Sequence, residues 1–495
     1  MISVPNRLQQ LNGSKQDTYA GSLKGLLMCL LLICFGACDA LKKVPQSQTP
    51  TEQNQEEDLG EIQGQKRYDP ETGTYVHVTE ITKDLDTVKW TDATATQNPP
   101  PITSEGVTPR PGGSTADPGN QVLSSYNVAI LMPFLTNRFN ELDGGINDKS
   151  MLALQFYSGA KLALEELSEE GVKLNVSVHD SEASERKTEE LLSSSSLYNA
   201  NMIIGPVRKD NLKLVADFAK ANGAVHVSPM NPSTGVTKDN PYFVQVSPSL
   251  RSHCEAITRH IKDRFEDDQV VLVCRNKREE VARLKYFQNA KFAIEGSTLA
   301  DRFKEYVVTV NSADYEEMDV TPYIQEGDTT VFVIPSFSNE SFVYSFLRKV
   351  NLAKGNSTIY VYGMPQWQRY KRISFDYYEK LNVHISNSTY IDNEADKVRQ
   401  FKQRFFDRFG TVPDEDAFIG YDVTKYFGQM ISRHGTMFQD QLERYPNASL
   451  HTRFDFERIL PSGSSSEDED QKITRFENKH VNILKFQDYY FQLAR

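Results

Sequence analysis

The chain has 495 residues, of which 39% are hydrophobic and 25% are charged, so it is long enough for two or three compact units with buried cores. Its 55 Lys and Arg residues are outnumbered by 67 Asp and Glu residues, which gives a formal net charge of −12. A chain with this balance lacks the basic surface that nucleic acids require, so we expect no nucleic-acid partner.

Residues 1–37 have the features of a secretory signal peptide. Lys15 and Lys24 precede an apolar run, Leu26–Phe35, which is shorter than the roughly 20 residues that a membrane-spanning helix needs. The next residues lead into Cys38, and the stretch Phe35-Gly36-Ala37-Cys38 resembles the lipobox of bacterial lipoproteins, with Phe where that motif prefers Leu. The resemblance implies that Cys38 is lipidated and anchors the protein to a membrane of the bacterial cell envelope, facing the periplasm or the cell surface.

Residues 38–125 are rich in Gln, Thr, Pro, Gly and acidic residues, which predicts a tether that buries no core of its own. Residues 67–92 depart from this pattern. There, Asp69-Pro70-Glu71-Thr72-Gly73 is typical of a turn, and alternate residues from Tyr75 to Ile81 follow the period of a strand. This stretch is either a short hairpin that docks to a partner or a chance apolar stretch within the tether.

From Tyr126 onward, short apolar runs alternate with segments of helical periodicity. The run Tyr126–Met132 is typical of a buried strand, and Phe156–Leu167 places its small and apolar residues on one helical face. Such units build a mainly parallel sheet flanked by helices. The same alternation predicts strands at Leu174–His179, Met202–Ile204, Ala224–Val227 and Tyr242–Val246, and helices at Glu185–Leu192 and Asn211–Lys220.

A second series of the same kind begins with a helix over Cys254–Phe265. Two successive series favour two similar lobes over one very wide sheet. Cys254 falls on that helix and Cys274 on the following strand, where we expect buried free thiols; one disulfide bridge is the alternative. The predicted strands of this series are Val270–Cys274, Tyr306–Val310, Thr330–Ile334, Thr358–Tyr362 and His384–Ser388.

Five short motifs lie in the first series, at Val128–Phe134, Ser158–Ala163, Val178–Ser181, Ile203–Val207 and Val227–Pro229. In this order and spacing they resemble the first lobe of leucine/isoleucine/valine-binding proteins, which are type I periplasmic binding proteins of ABC transporters. Ala417–Val423 is similar to the segment in which the chain of that family returns to its first lobe. The resemblance implies an α/β fold of two lobes, each a mainly parallel sheet flanked by helices. Residues 126–247 and 393–435 would form the first lobe, and residues 248–392 and 436–495 the second lobe with a C-terminal segment.

In open α/β sheets, ligands bind beyond the carboxyl ends of the strands, and this rule selects the candidate site residues. On the first lobe they are Pro133, Phe134, Pro206, Val207, Ser228, Pro229 and Asn231, and on the second lobe they are Arg275, Ser336 and Trp367.

The resemblance implies that the Ser228 loop grips a ligand carboxylate through hydroxyl and backbone N–H groups; alternatively, Ser228 only caps a turn. Trp367 would cover a ligand at the cleft edge, or it packs within its own lobe. Arg275 would pair with an anion, or it is a solvated surface residue. An ammonium group would need an acid, for which Asp422 or Asp180 is placed by motif position, unless Asp422 caps the helix Asp422–Ile431.

No nucleophile elbow, zinc-protease motif, phosphate-binding loop or Cys-x-x-Cys motif occurs in the sequence, and its nine His residues lack metal-ligand spacing. We therefore expect a binding protein that is not an enzyme and that holds no cofactor or metal. One hypothesis is an envelope-anchored lipoprotein that captures a small, polar, amino-acid-like solute between its lobes and has a permease as partner. The other is a scaffold or regulator that uses the same fold to bind envelope proteins, as a peptidoglycan-synthase activator does.

Overall fold

The computed structural model describes residues 66–69, 74–77, 119–138, 146–296, 301–310, 315–461 and 473–494. The chain divides into two compact units, 1–108 and 109–495. In the first unit, strands β1 (Lys66–Asp69) and β2 (Thr74–His77) pair in antiparallel register, with Lys66 opposite His77. These strands occupy the start of the segment for which a hairpin was predicted. Residues 78–92 of that segment lie outside the described residues, as does Cys38.

In the described residues, the second unit contains two seven-stranded sheets and one two-stranded antiparallel sheet, formed by Asn447–Ala448 and Arg453–Phe454. Its strands are β3 (Tyr126–Met132), β4 (Leu174–Asp180), β5 (Met202–Ile204), β6 (Val225–Ser228), β7 (Phe243–Gln245), β8 (Val270–Arg275), β9 (Lys304–Val308), β10 (Thr329–Val333), β11 (Thr358–Gly363), β12 (Val383–Asn387), β13 (Asn447–Ala448), β14 (Arg453–Phe454), β15 (Phe456–Ile459), β16 (Arg475–Asn478), β17 (Asn482–Gln487) and β18 (Tyr490–Leu493).

The first sheet has the order β15-β16-β7-β6-β5-β3-β4, and the second has the order β18-β17-β12-β11-β10-β8-β9. All strand pairs within them are parallel except β15 with β16, β12 with β17, and β17 with β18. Continuous apolar runs such as β3 and β8 are buried on both faces, as expected of parallel strands between helical layers.

The helices cover these sheets. They are α1 (Met151–Glu169), α2 (Glu185–Leu192), α3 (Ser195–Tyr198), α4 (Lys209–Asn222), α5 (Leu250–Lys262), α6 (Arg278–Glu295), α7 (Glu340–Ala353), α8 (Phe375–Lys380), α9 (Asp396–Phe409) and α10 (Glu415–His434). None of the helices in the described ranges is both long enough and apolar enough to cross a membrane.

Helices α1 and α10 pack closely in the first lobe because two glycines lie where they meet. A Cβ atom on Gly159 would come within 1.9 Å of the Ala417 carbonyl oxygen, and one on Gly420 within 1.9 Å of the Phe156 carbonyl oxygen. Only residues without a side chain fit there, which explains the Gly in both motifs. The contact fixes the start of α10 against the first sheet.

The chain passes between the lobes three times: from β7 to α5, from β12 to α9, and from β16 to β17. The last passage corrects the predicted boundary, since residues 436–495 were assigned to the second lobe. Strands β15 and β16 extend the first sheet instead, because Phe456 and Phe476 pack into its core, and only β17 and β18 join the second sheet.

The thiols of Cys254 and Cys274 are free and buried, as predicted. Burial raises the pKa of Cys274 to about 12 and raises that of Cys254 further. Both are therefore apolar core residues and not reactive groups.

Candidate ligand-binding cleft

A cavity of about 410 Å³ lies between the lobes, at the carboxyl ends of strands from both sheets. Its first-lobe wall includes Val207 after β5, Pro229 after β6 and Ser247 after β7. Its second-lobe wall includes Ser388 after β12 and Arg369, the last residue of a short turn after β11. This volume lies within the range of small-molecule sites.

Three carboxyl groups enter this cleft at the start of α10: Asp414, Glu415 and Asp416. The Asp414 side chain caps the helix, accepting hydrogen bonds from the backbone N–H groups of Asp416 (3.0 Å) and Ala417 (3.2 Å). Burial, with the like charges of Asp414 and Glu415, raises the pKa of Asp416 to about 7. The carboxyl group of Asp416 thus has acidic neighbours in its own lobe and little positive charge there to compensate it.

Arg369 lies on the opposite wall and belongs to the second lobe. Its positive charge acts to lower the pKa of Asp416, although burial and the neighbouring acids outweigh it. Among the described residues, no ion pair or hydrogen bond joins these two side chains. The cleft therefore holds opposite charges on opposite walls.

A buried histidine–aspartate pair also borders the cleft. His451 is 4% exposed and Asp422 is 3% exposed, and one Asp422 carboxylate oxygen accepts from the His451 backbone N–H (2.8 Å) and Nδ1 (2.5 Å). His451 lines the cleft, whereas Asp422 lies behind it in the interior of α10. Asp422 therefore does not cap a helix; Asp414 does.

The segment that carries His451 is also hydrogen-bonded to the second passage between the lobes. The Tyr390 backbone N–H donates to the His451 carbonyl oxygen (2.7 Å), and the Thr452 hydroxyl donates to the Ser388 carbonyl oxygen (2.7 Å). One loop of the first lobe thus both lines the cleft and contacts the second passage between the lobes.

A second polar cluster joins the first and third passages. Glu477 is 1% exposed and accepts from the Ser249 backbone N–H (3.0 Å), the Ser252 hydroxyl (2.6 Å) and the Arg475 guanidinium. Although burial acts to raise the pKa of Glu477, Arg475 and these donors hold it below its ordinary value. Glu477 is therefore a buried anion that joins the first and third passages between the lobes.

Of the first-lobe candidates, Val207 and Pro229 line the cleft. Asn231 stabilises the same wall, because its Nδ2 donates to the Val207 carbonyl oxygen (3.0 Å). Ser228 is fully buried, and its hydroxyl has no hydrogen-bond partner within the described ranges. Pro206 is buried after a cis peptide bond with Gly205.

Pro133 and Phe134 are half-buried after β3 and do not line the cavity; the Phe134 ring packs edge-on against Tyr157, with centroids 5.9 Å apart. Asp180 accepts from the backbone N–H groups of Leu135 (3.1 Å) and Thr136 (2.8 Å), so it holds that loop in place.

The second-lobe candidates meet around Glu280 and away from the cleft. Arg275 Nε donates to the Glu280 carboxylate (2.8 Å), as does the Ser336 hydroxyl (2.6 Å). The Trp367 side chain is fully buried, and its Nε1 donates to the Ser336 carbonyl oxygen (2.9 Å). Trp367 therefore packs within its own lobe, and Arg275 is paired internally.

Sequence reasoning did not identify Arg369, Asp416 or His451. Each comes from a short turn, a helix start or a loop, and none of them directly follows a predicted strand. Pro413-Asp414-Glu415-Asp416, a capping residue followed by acids before an apolar helix, was the one local signal available. In the described part of the chain, no group of three or more His, Cys, Asp or Glu side chains could hold a metal ion.

A sequence model described as the receptor family ligand binding region matches residues 156–490. A search of curated protein sequences returned no match. Among solved structures, a branched-chain amino acid ABC transporter from Rhodospirillum rubrum is 15% identical, covers 74% of this chain and 99% of its own, and has a TM-score of 0.51.

Two further structures are similar. A substrate-binding protein from Desulfitobacterium hafniense, in complex with Leu, is 14% identical over 75% of this chain and 100% of its own, with a TM-score of 0.47. Full-length LpoA from Haemophilus influenzae is 13% identical over 75% of this chain and 59% of its own, with a TM-score of 0.48. The two sheets and the Rhodospirillum rubrum structure confirm the two-lobed type I periplasmic-binding fold that was predicted from the sequence.

Proposed function

Because this chain belongs to the receptor family of ligand-binding regions, we propose that it binds a small amino-acid-like solute in the cleft between its lobes. The family is one of ligand-binding regions, so the chain is a binding protein and not an enzyme.

The observation that carries the proposal is the placement of Arg369 and Asp416 on opposite walls. A zwitterion offers a carboxylate to the guanidinium and an ammonium group to the carboxyl, so one molecule satisfies both lobes at once. A ligand that contacts both walls binds the closed form better than the open form and shifts the population toward closure.

Isothermal titration of the purified full chain with the twenty amino acids tests this proposal. We expect saturable binding of at least one amino acid, and a loss of tenfold or more in affinity in both Arg369→Gln and Asp416→Asn. Arg399→Gln is a matched control, because Arg399 is an exposed arginine of α9 outside the cleft lining. The proposal fails if no amino acid produces heat or raises the melting temperature.

We also propose that acyl chains on Cys38 anchor the protein to the cell envelope, where a permease would accept the loaded form. The lipobox-like stretch before Cys38 supports this. Palmitate labelling of cells and detergent-phase partitioning test it: the natural chain should carry label and enter the detergent phase, and Cys38→Ser should do neither. An unlabelled natural chain would contradict the anchor.

A second role, as a scaffold for envelope proteins, is supported by the β1–β2 hairpin, which lies within residues 38–125, a stretch predicted to be a tether that buries no core of its own. Pull-down with the full chain and with a variant lacking residues 64–80 tests this role. Loss of a captured envelope protein in the variant would support docking through the hairpin, whereas equal capture would exclude the hairpin as the contact.

A further inference from the structure

We infer, on the basis of the proposed function, that the solute carries a second cationic group, as a basic amino acid does. His451 and the carboxyl groups at the start of α10 would receive that group. The cleft is thereby assigned a ligand class, which the family does not determine.

The charged residues of the lining support this inference. Asp414, Glu415 and Asp416 face a single guanidinium, that of Arg369, so the lining has two more carboxyl groups than cationic groups. A zwitterion with an uncharged side chain pairs with one of each and leaves the excess in place. Asp414 is occupied as the helix cap, but Glu415 and Asp416 have no hydrogen-bond or ion-pair partner for their side chains among the described residues.

His451 supplies a second, independent observation. Its side chain is 5% exposed and lines the cleft, and its Nδ1 is held by the Asp422 carboxylate at 2.5 Å. The Asp422 carboxylate at Nδ1 fixes the ring orientation, so Nε2 is the ring nitrogen that is left for a ligand. Among the described residues none bonds to Nε2, so this nitrogen is free to bond to a ligand in the cleft.

The apolar part of the lining fits the remainder of such a ligand. Ile419 lies on α10 at three and four positions beyond Asp416 and Glu415, so it shares their helical face. Leu152 and Met230 also line the cavity. Aliphatic surface beside carboxyl groups suits the methylene stem and charged head of lysine or arginine, which bury the stem and pair the head.

Titration of the full chain with arginine, lysine, leucine and glutamate tests the assignment. We expect arginine or lysine to bind at least tenfold more tightly than leucine, and glutamate to bind most weakly. Glu415→Gln and His451→Gln should each reduce the arginine-to-leucine affinity ratio by fivefold or more. Asp407→Asn and His434→Gln are matched controls outside the lining, and they should leave the ratio unchanged.

Asp422 positions His451, so Asp422→Asn should lower the same arginine-to-leucine affinity ratio. If leucine or glutamate binds as tightly as arginine, the cationic assignment is wrong and the proposed function stands. If no amino acid binds, the proposed function itself fails. Should His451→Gln not fold, Glu415→Gln decides, because the Glu415 side chain is exposed and tolerates substitution.

Discussion

Replacing Gly420 by Ala tests whether the backbones of α1 and α10 are in direct contact. The new Cβ atom would lie 1.9 Å from the Phe156 carbonyl oxygen, a distance that no backbone contact allows, so the helices must move apart. Overpacking of this kind costs about 1–3 kcal/mol. Alanine recovers roughly 0.5–1 kcal/mol of backbone entropy in a helix, which does not offset the clash. We expect the free energy of unfolding to fall by about 1–2 kcal/mol.

Urea unfolding followed by circular dichroism measures this change. Gly428→Ala is the matched control on the same helix, because its Cβ would meet only the ends of side chains, Leu167 at 2.5 Å and Leu174 at 3.4 Å, and these ends can rotate away. We expect the control to differ from the natural chain by less than about 1 kcal/mol, as a helical alanine with a small rearrangement should. A Gly420→Ala chain as stable as the natural one would refute a backbone-to-backbone contact between these helices.

Three further perturbations have defined outcomes. Because the folded chain raises the pKa of Asp416 from 3.8 to about 7, its carboxylate destabilises the fold fully above pH 7 and progressively less toward pH 3.8; Asp416→Asn should therefore raise the melting temperature more at pH 8 than at pH 5, and an equal change at both would contradict this. Trp367→Phe leaves the Ser336 carbonyl oxygen without its indole donor, so urea unfolding should show a loss of about 1–3 kcal/mol while solute affinity is unchanged; a tenfold loss of affinity would place Trp367 in the site after all. Glu477→Gln leaves the buried Arg475 uncompensated and should lower the free energy of unfolding by about 3–5 kcal/mol, and a loss below 1 kcal/mol in the same assay would show that solvent reaches the pair.

The parallel core of both sheets could be predicted from the sequence because its strands are continuous apolar runs. Strand Tyr126–Met132 has the predicted bounds. Strand Lys304–Val308 begins two residues before the predicted start, and the prediction missed these two residues because they are polar and exposed. Strand Arg475–Asn478 could not be predicted. It is buried throughout although it carries Arg, Glu and Asn. The pairing of Arg475 with Glu477, and the hydrogen bonds of the Asn478 side chain to backbone groups of Arg453 and Asp455, make that burial favourable.

Only the part of the candidate site that lies next to strand ends in the sequence could be predicted. The rule that ligands bind beyond strand ends located Val207 and Pro229, which are near their strands in sequence. Arg369, Asp416 and His451 reach the cleft only through tertiary packing, which no local pattern reports. Trp367 follows a strand closely, but its indole N–H found a carbonyl acceptor inside the lobe, and burial there removed it from the cleft.

The threefold passage of the chain between the lobes has a consequence for synthesis. Strand β16 completes its place beside β7 only after Asn478 has been made, and β17 then covers the open side of β12. Until that point, both half-built sheets expose unpaired edges, which attract other chains. Neither sheet can therefore be completed early in translation, and a premature stop between β12 and β16 would leave one unpaired edge on each sheet.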